Sequence, residues 1–129
     1  MARQFSLAHL TAIRCAPPEL IRIARKVGYD YVSLRVIPLG EPVYDLGGDP
    51  AQLKAAKQAL AETGMPVLDV ELARILPDLD VRTYEPAFAA AAELGARHVI
   101  SSCWVPDKAY ATAKFAEMCD LAKPYGLTI

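Results

Sequence analysis

Five side chains that could do chemistry stand at or near the ends of predicted β-strands: His9, Arg35, Glu71, Arg74 and Trp104. In folds that alternate parallel strands with helices, catalytic and binding groups gather at the carboxyl ends of the strands. We therefore take these five residues as the candidate site.

Glu71 and His9 are the candidate catalytic groups. Glu71 shares a strand face with Asp69, whose like charge would raise the pKa of Glu71, so Glu71 could transfer a proton or orient a metal-bound water. His9 closes the first predicted strand and could act as an acid or base near neutral pH, or hydrogen-bond a substrate hydroxyl. Two structural alternatives stay open: a carboxylate pair anchored by arginines, and a histidine that pins the first loop to the sheet.

Arg35, Arg74 and Trp104 are the candidate substrate-binding residues. Either arginine could hold a carboxylate or phosphate through paired hydrogen bonds. The indole of Trp104 could stack on a sugar ring. The alternatives are salt bridges from the arginines to Glu71 or Asp69, and plain packing of Trp104 under the loop that follows the fourth strand.

The elements that must position these residues repeat four times along the chain. In each repeat an amphipathic helix ends at a glycine, and a strand rich in β-branched residues follows within a few residues. The glycines are Gly28, Gly64, Gly95 and Gly126. With an opening strand over 5–10, the order is β-α-β-α-β-α-β-α-β, which predicts a parallel sheet with right-handed crossovers.

Each predicted helix has a start signal and an apolar stripe. The first helix follows Pro17-Pro18, and the second starts at Asp49-Pro50 with Gln52 placed to complete a capping box. The third runs over about 83–94, and the fourth starts near Asp107. The residues expected to be buried are Leu20, Ile21, Ala24 and Val27 in the first helix, Leu53, Ala56 and Leu60 in the second, and Phe115, Met118, Cys119 and Ala122 in the fourth.

Two α/β architectures share this order: an open, doubly wound, flavodoxin-like sheet and a (β/α) barrel. In the third predicted strand Leu68, Val70 and Leu72 alternate with Asp69 and Glu71, so one face is apolar and the other polar. A doubly wound sheet buries both faces and would show nearly continuous apolar runs. The alternation therefore favours the barrel.

Four complete βα units and the start of a fifth strand correspond to half of an eightfold barrel. We expect residues 1–129 to form a single (β/α)4 half-barrel unit, truncated from a domain of about 250–280 residues. Both sheet edges of such a unit are open, and unpaired strands tend to find partners. A homo-oligomer formed through these edges is the corresponding prediction.

The longest irregular stretch lies between the second predicted strand and the second helix, over 38–49, and contains Pro38, Gly40, Pro42, Gly47 and Gly48. Long loops above a barrel mouth often cover the substrate. We expect this loop to do so.

Composition excludes several classes of function. A formal net charge of -1 argues against binding to nucleic acid, which normally needs a clustered excess of cations. The sequence contains no apolar run of the length that a signal peptide or a membrane span needs. Cys15, Cys103 and Cys119 form no Cys-x-x-Cys pair, so we expect reduced thiols and a cytoplasmic location.

Seven strings along the chain carry a resemblance to a known family. They lie at 5–11 (FSLAHLT), 17–20, 27–35 (VGYDYVSLR), 68–72 (LDVEL), 77–81, 93–97 and 124–127. The chain resembles the N-terminal half of sugar phosphate isomerase/epimerase proteins with the xylose isomerase-like TIM barrel. The resemblance covers essentially the whole chain.

This resemblance implies a divalent metal (Mg, Mn, Zn or Co) at the barrel mouth of the full-length parent, and a small-molecule sugar or hydroxy acid as substrate. The parent would be a metal-dependent isomerase or epimerase that abstracts a proton next to a carbonyl through an enediolate. The metal ligands of such proteins lie on strands five to eight, so no ligand is assigned here and this fragment is expected to be metal-free and inactive. The alternatives are a dehydratase or lyase of the same superfamily, and a non-catalytic, self-associating half-barrel.

Overall fold

The computed structural model describes residues 2–129. Strands and helices alternate along this range. The elements are β1 Ser6–Ala8, α1 Pro17–Val27, β2 Tyr31–Arg35, α2 Pro50–Thr63, β3 Val67–Ile75, α3 Glu85–Glu93, β4 His98–Cys103 and α4 Lys108–Ala122. Short 3-10 helices cover His9–Ala12, Val81–Tyr84 and Lys123–Tyr125. Among these residues, no helix combines the length and the apolar character needed to cross a membrane.

The sheet has the strand order β1-β2-β3-β4, and all neighbouring strands are parallel. Thr128 forms a parallel bridge with His98 beside β4, where a fifth strand was predicted to start. Because every crossover leads to the adjacent strand in the same direction, right-handed connections place all the helices on one side of the sheet. This sequential order confirms the barrel-type (β/α) arrangement, whereas the flavodoxin-like alternative, which needs a reversal of strand order, is wrong.

Side-chain caps start two of the helices as the sequence predicted, but the capping box expected at α2 is not formed. The Asp49 amide donates to the carbonyl of Asp45 (2.8 Å), and Oε1 of Gln52 accepts from the amide of Asp45 (3.2 Å). Oδ1 of Asp49 accepts hydrogen bonds from the amides of Ala51 (2.9 Å) and Gln52 (3.3 Å), and Nε2 of Gln52 donates to Oδ2 of Asp49 (3.1 Å). Asp107 caps α4 in the same way. These caps satisfy amides that have no partner inside the helix, which stabilises each helix start by about 1 kcal/mol.

The third helix starts later than the sequence predicted. Asp80 accepts a hydrogen bond from the amide of Arg82 (3.1 Å), and a 3-10 turn over Val81–Tyr84 precedes α3. The α-helix therefore begins at Glu85 and not near Thr83.

The core lies between the helices and one face of the sheet. Val32, Leu34 and Val36 of β2 and its continuation are fully buried, as predicted, and each contributes about 1.5–3 kcal/mol of hydrophobic stabilisation. Two predicted core residues are exposed instead. Val27 (68% exposed) is the last residue of α1, where the chain turns away at Gly28. Phe115 (42% exposed) lies on α4, which is the last α-helix of residues 2–129.

Strand β3 departs from strict alternation. Relative to β2 and then to β4, it contains one extra residue at each of two register shifts, the second between Val70 and Ala73. Leu68 and Leu72, predicted to share the buried face of Val70, are consequently only half-buried. The buried residues of this strand are Val67, Val70, Ala73 and Ile75. The sequence predicted that Arg74 follows the third strand. The strand in fact runs to Ile75, so Arg74 lies inside it.

Candidate active site

Arg35 and Glu71 form a buried ion pair across neighbouring strands. They are register partners between β2 and β3, and Nη2 of Arg35 lies 3.4 Å from Oε1 of Glu71. Their side chains are only 12% and 11% exposed. This separation exceeds the roughly 2.7–2.9 Å of a strong charge-assisted hydrogen bond. The two charged groups therefore attract each other without forming such a hydrogen bond.

Burial is the main cause of a raised pKa at Glu71, because the apolar surroundings disfavour the carboxylate. The positive charge of Arg35 opposes this rise, and the negative charge of Asp69 adds to it. The sequence predicted this effect of Asp69, but the larger cause is desolvation.

Three neighbouring polar side chains on the sheet face of the Arg35–Glu71 pair have hydrogen-bonding capacity that is not used. Nε of Arg35, Oδ1 of Asp69 and Oε1 of Glu71 are buried and have no hydrogen-bond partner among the described residues. An unsatisfied buried polar atom costs about 1–3 kcal/mol, so its presence needs an explanation. A ligand with several hydroxyl groups could supply the missing partners, because a hydroxyl can donate to the two carboxylate oxygens and accept from Nε of Arg35.

His9 lies in the 3-10 turn that follows β1 and is fully buried. The amide of Arg35 donates to its Nδ1 (3.0 Å), so the proton of the neutral ring resides on Nε2, which donates to the carbonyl of Cys15 (2.8 Å). Burial lowers the pKa of His9; the Cys15 hydrogen bond opposes this, and the charge of Arg35 adds to it. Both nitrogens are occupied by the backbone, which leaves none for direct contact with a substrate.

The ring of Tyr44 stacks on His9, with centroids 5.0 Å apart and an interplanar angle of 26°. Tyr44 belongs to the long loop between β2 and α2 and is buried. Sequence reasoning missed this contact. The only available signal was an aromatic residue inside a loop rich in proline and glycine.

Arg74 is held through its backbone. Its amide donates to the hydroxyl of Tyr84 (3.0 Å), and that hydroxyl donates to the carbonyl of Arg74 (2.7 Å). The structural alternative for the two arginines, a salt bridge to Glu71 or Asp69, is formed by Arg35 and not by Arg74, whose side chain takes part in no ion pair within residues 2–129.

Trp104 directly follows β4 and is 65% exposed. Its amide donates to the carbonyl of Ile75 (2.9 Å), and its indole Nε1 donates to Oγ of Ser102 (2.7 Å). The ring is therefore fixed at the carboxyl ends of β3 and β4 with most of its surface free. The structure brings Arg35 and Glu71 into contact and links His9 to Arg35. Glu71 lies in the middle of β3 and not at its end, whereas Arg74 is the penultimate residue of β3 and Trp104 directly follows β4.

Several solved structures share the fold of this chain, although its sequence matches no known family. No family model and no curated protein match the sequence. Among solved structures, a xylose isomerase domain containing protein from Salmonella typhimurium matches with a TM-score of 0.70 and 14% identity over 96% of this chain and 47% of that chain. The chain has the fold of the N-terminal half of a xylose isomerase-like TIM barrel.

Two further solved structures match this half-barrel. The IolI protein, described with a bound zinc atom, matches with a TM-score of 0.69 and 16% identity over 97% of this chain and 49% of that chain. D-allulose 3-epimerase from Methylomonas sp., in complex with D-allulose, matches with a TM-score of 0.65 and 17% identity over 96% of this chain and 49% of that chain. The half-barrel thus spans about half the length of the solved structures it matches.

The residues of the half-barrel do not fit a metal centre. No group of three or more His, Cys, Asp or Glu side chains within residues 2–129 is arranged to hold a metal ion. Asp69 and Glu71 supply two carboxylates, whereas a catalytic zinc site typically has three protein ligands. Residues 2–129 therefore offer groups that could bind a substrate or transfer a proton, but no complete set of metal ligands.

Proposed function

We propose that this half-barrel binds a sugar on its polar face, as part of a sugar isomerase or epimerase. The observation that carries the proposal is the buried Arg35–Glu71 pair, whose atoms have hydrogen-bonding capacity that the described residues leave unused. The fold supports it, since one matching structure is a sugar epimerase in complex with D-allulose.

In this proposal Glu71 takes a proton from the carbon next to the substrate carbonyl. The C–H electron pair moves into the carbon–carbon bond, and the carbonyl π electrons move onto oxygen, giving an enediolate that is reprotonated at carbon to complete the reaction. The guanidinium of Arg35 binds the oxygen where the negative charge develops. A raised pKa makes Glu71 a stronger base than an ordinary carboxylate, which suits it to accept and return a proton. Arg74 and Trp104 would hold more distant parts of the sugar.

The proposal also covers the length of the parent barrel, its metal ion and its cellular location. Residues 1–129 would be one half of a longer barrel, and the divalent metal predicted for that parent would be held outside the described residues. The structure of the IolI protein, described with bound zinc, is the support for this metal. The cysteines of the described chain are free, which supports a cytoplasmic location, where thiols stay reduced.

Titration of the isotopically labelled chain with D-allulose and D-fructose, followed by NMR, tests the proposal. We expect amide shifts centred on Arg35 and Glu71, and an affinity at least about tenfold weaker in Glu71→Gln, because a charged hydrogen-bonding partner is lost. Glu62→Gln, at an exposed ion pair of α2, is the matched control and should bind as the wild type does. Shifts confined to other surfaces, or no shifts at all, would contradict sugar binding at this face.

A parallel titration with D-gluconate addresses the dehydratase or lyase alternative. A hydroxy acid offers a carboxylate that suits Arg35 better than a neutral sugar does. Preference for D-gluconate over both ketoses would favour that alternative.

Self-association through the open sheet edges is a separate proposal. Among the described residues β1 pairs only with β2, and Phe5 and Leu10 near this edge strand are exposed. Exposed apolar residues beside an unpaired strand favour association with another chain. Sedimentation analysis should show a dimer or larger species at micromolar concentration, and a stable monomer would exclude it.

A further inference from the structure

His9 joins three segments that are distant in the sequence. Its Nε2 binds the carbonyl of Cys15 at the entrance to α1, its Nδ1 binds the amide of Arg35 at the end of β2, and its ring stacks on Tyr44 of the long loop. All three contacts converge at the carboxyl ends of β1 and β2, the end of the sheet where barrel enzymes place their chemistry.

We propose that His9 is a positioning residue, which holds Arg35 in the orientation that sets its guanidinium against Glu71. This inference rests on the proposed function, because it assigns a role within the same site. It replaces direct proton transfer by His9, for which no ring nitrogen is free.

The backbone on either side of the Arg35 α-carbon carries the argument. The amide of Arg35 is fixed by Nδ1 of His9 (3.0 Å), and the next amide, that of Val36, donates to the carbonyl of Glu71 (3.1 Å). Two consecutive peptide groups are thereby held, one by His9 and the other by β3. These two hydrogen bonds fix the direction of the Cα–Cβ bond of Arg35. The guanidinium at the end of this side chain contacts the carboxylate of Glu71.

The chemistry of the imidazole explains why a histidine suits this position. Only an acceptor at Nδ1 satisfies the Arg35 amide, and only a donor at Nε2 satisfies the Cys15 carbonyl, so one neutral tautomer serves both. Tyr44 covers the ring and fixes its plane. Asparagine can reproduce the acceptor near the position of Nδ1 but not the distal donor, whereas glutamine can reproduce the distal donor but not the proximal acceptor.

This pair of variants separates positioning from general structure. The titration of the Glu71 carboxyl, followed by carbon NMR without any ligand, reports how close the Arg35 charge remains. In His9→Gln we expect the pKa of Glu71 to rise by at least about half a unit, towards its value in Arg35→Met, because the opposing charge is no longer held in place. In His9→Asn, which keeps the acceptor, the titration should stay near that of the wild type.

Equal titration of Glu71 in the wild type, His9→Gln and His9→Asn, with a clear shift in Arg35→Met, would overturn the proposal and leave His9 as a structural residue. If the His9 variants do not fold, nitrogen NMR of the wild-type ring decides: we expect a protonated Nε2 and an unprotonated Nδ1, and the opposite tautomer would refute the proposal. Neither measurement uses a sugar, so failure of sugar binding would leave this result intact.

Discussion

The Arg35 guanidinium and the Glu71 carboxylate lie 3.4 Å apart across β2 and β3, and each side chain is nearly nine-tenths buried. Their strands put them there, because the two residues are register partners in the parallel ladder. A buried pair of this kind contributes little net stability, but removing one partner leaves an uncompensated charge and costs about 3–5 kcal/mol. The pair is therefore expected to add little to the net stability of the sheet, whereas the loss of either partner is costly.

Replacing Glu71 by Gln should change how stability depends on pH. The folded-state pKa of Glu71 is raised above 4.5, so the folded chain holds this proton more tightly than the unfolded chain does. The contribution of this proton binding to the free energy of unfolding is fully present below pH 4.5 and is lost as the pH rises through the folded-state pKa of Glu71. Urea unfolding at several pH values should show this loss in the wild type and not in Glu71→Gln.

Glu62→Gln provides a control of opposite sign. Hydrogen bonds from Arg22 and Gln58 lower the pKa of Glu62, so its contribution is present above pH 4.5 and is lost as the pH falls through the folded-state pKa. Identical pH profiles for the two variants would contradict the assignment of these pKa shifts.

Acid should destabilise the fold through His9. Its folded-state pKa lies below 6.5, so as the pH falls below 6.5 the unfolded chain takes up a proton that the folded chain does not, and stability decreases. Protonation of the folded ring would also displace the Arg35 amide from Nδ1. Thermal unfolding between pH 7.5 and pH 5 should show this decrease in stability in the wild type and in the control His98→Gln, but not in His9→Asn. If the decrease persists in His9→Asn, groups other than His9 cause it.

Tyr84→Phe should destabilise the chain by about 1–3 kcal/mol, because the Arg74 amide and carbonyl both lose their hydrogen-bond partner while the ring stacked on Phe88 is kept. Tyr125→Phe removes a hydroxyl that donates to the exposed Glu85, and its effect should stay within about 0.5 kcal/mol. Chemical denaturation of both variants measures the difference. Equal losses would show that the Tyr84 hydroxyl is not a buried support of β3.

Gly47→Ala should disturb the long loop. A β-carbon at Gly47 would lie 2.7 Å from the amide nitrogen of Ala87 and 2.8 Å from the carbonyl carbon of Pro86, both in the backbone near the start of α3. A cost of about 1–3 kcal/mol is expected from such overpacking. In Gly48→Ala the added carbon meets the Asp45 side chain, which can rotate, so a smaller loss is expected. Denaturation midpoints compare the two; a larger loss in Gly48→Ala would contradict the packing described here.

Local signals in the sequence were sufficient for much of the fold. The capping residues Asp49 and Asp107, each followed by a helix, and the glycines that end the repeats predicted the alternation of strands and helices. Polar residues near the predicted strand ends also indicated Arg35 and Glu71 as candidate site residues, a role that stays a prediction. Hydrogen bonding within a few residues of the chain produces the helix caps and the helix-ending glycines, so these two signals can be interpreted without knowing the tertiary structure.

Other features depend on neighbours in space. The register shifts of β3 moved Leu68 and Leu72 off the buried face and placed Arg74 inside the strand, and they depend on pairing with β2 and β4. The exposure of Val27 and Phe115 likewise depends on what packs against each helix end.

The sequence alone predicted the α/β repeat, the half-barrel, and Arg35 and Glu71 as the two charged residues at its polar face. Only the tertiary structure decided that Arg35 and Glu71 face each other, and that both nitrogens of His9 are engaged by Cys15 and Arg35. The reason is physical: helix starts and apolar periodicity are set by residues close along the chain, whereas hydrogen bonds between loops and the desolvation of a charge are set by groups that meet only after folding.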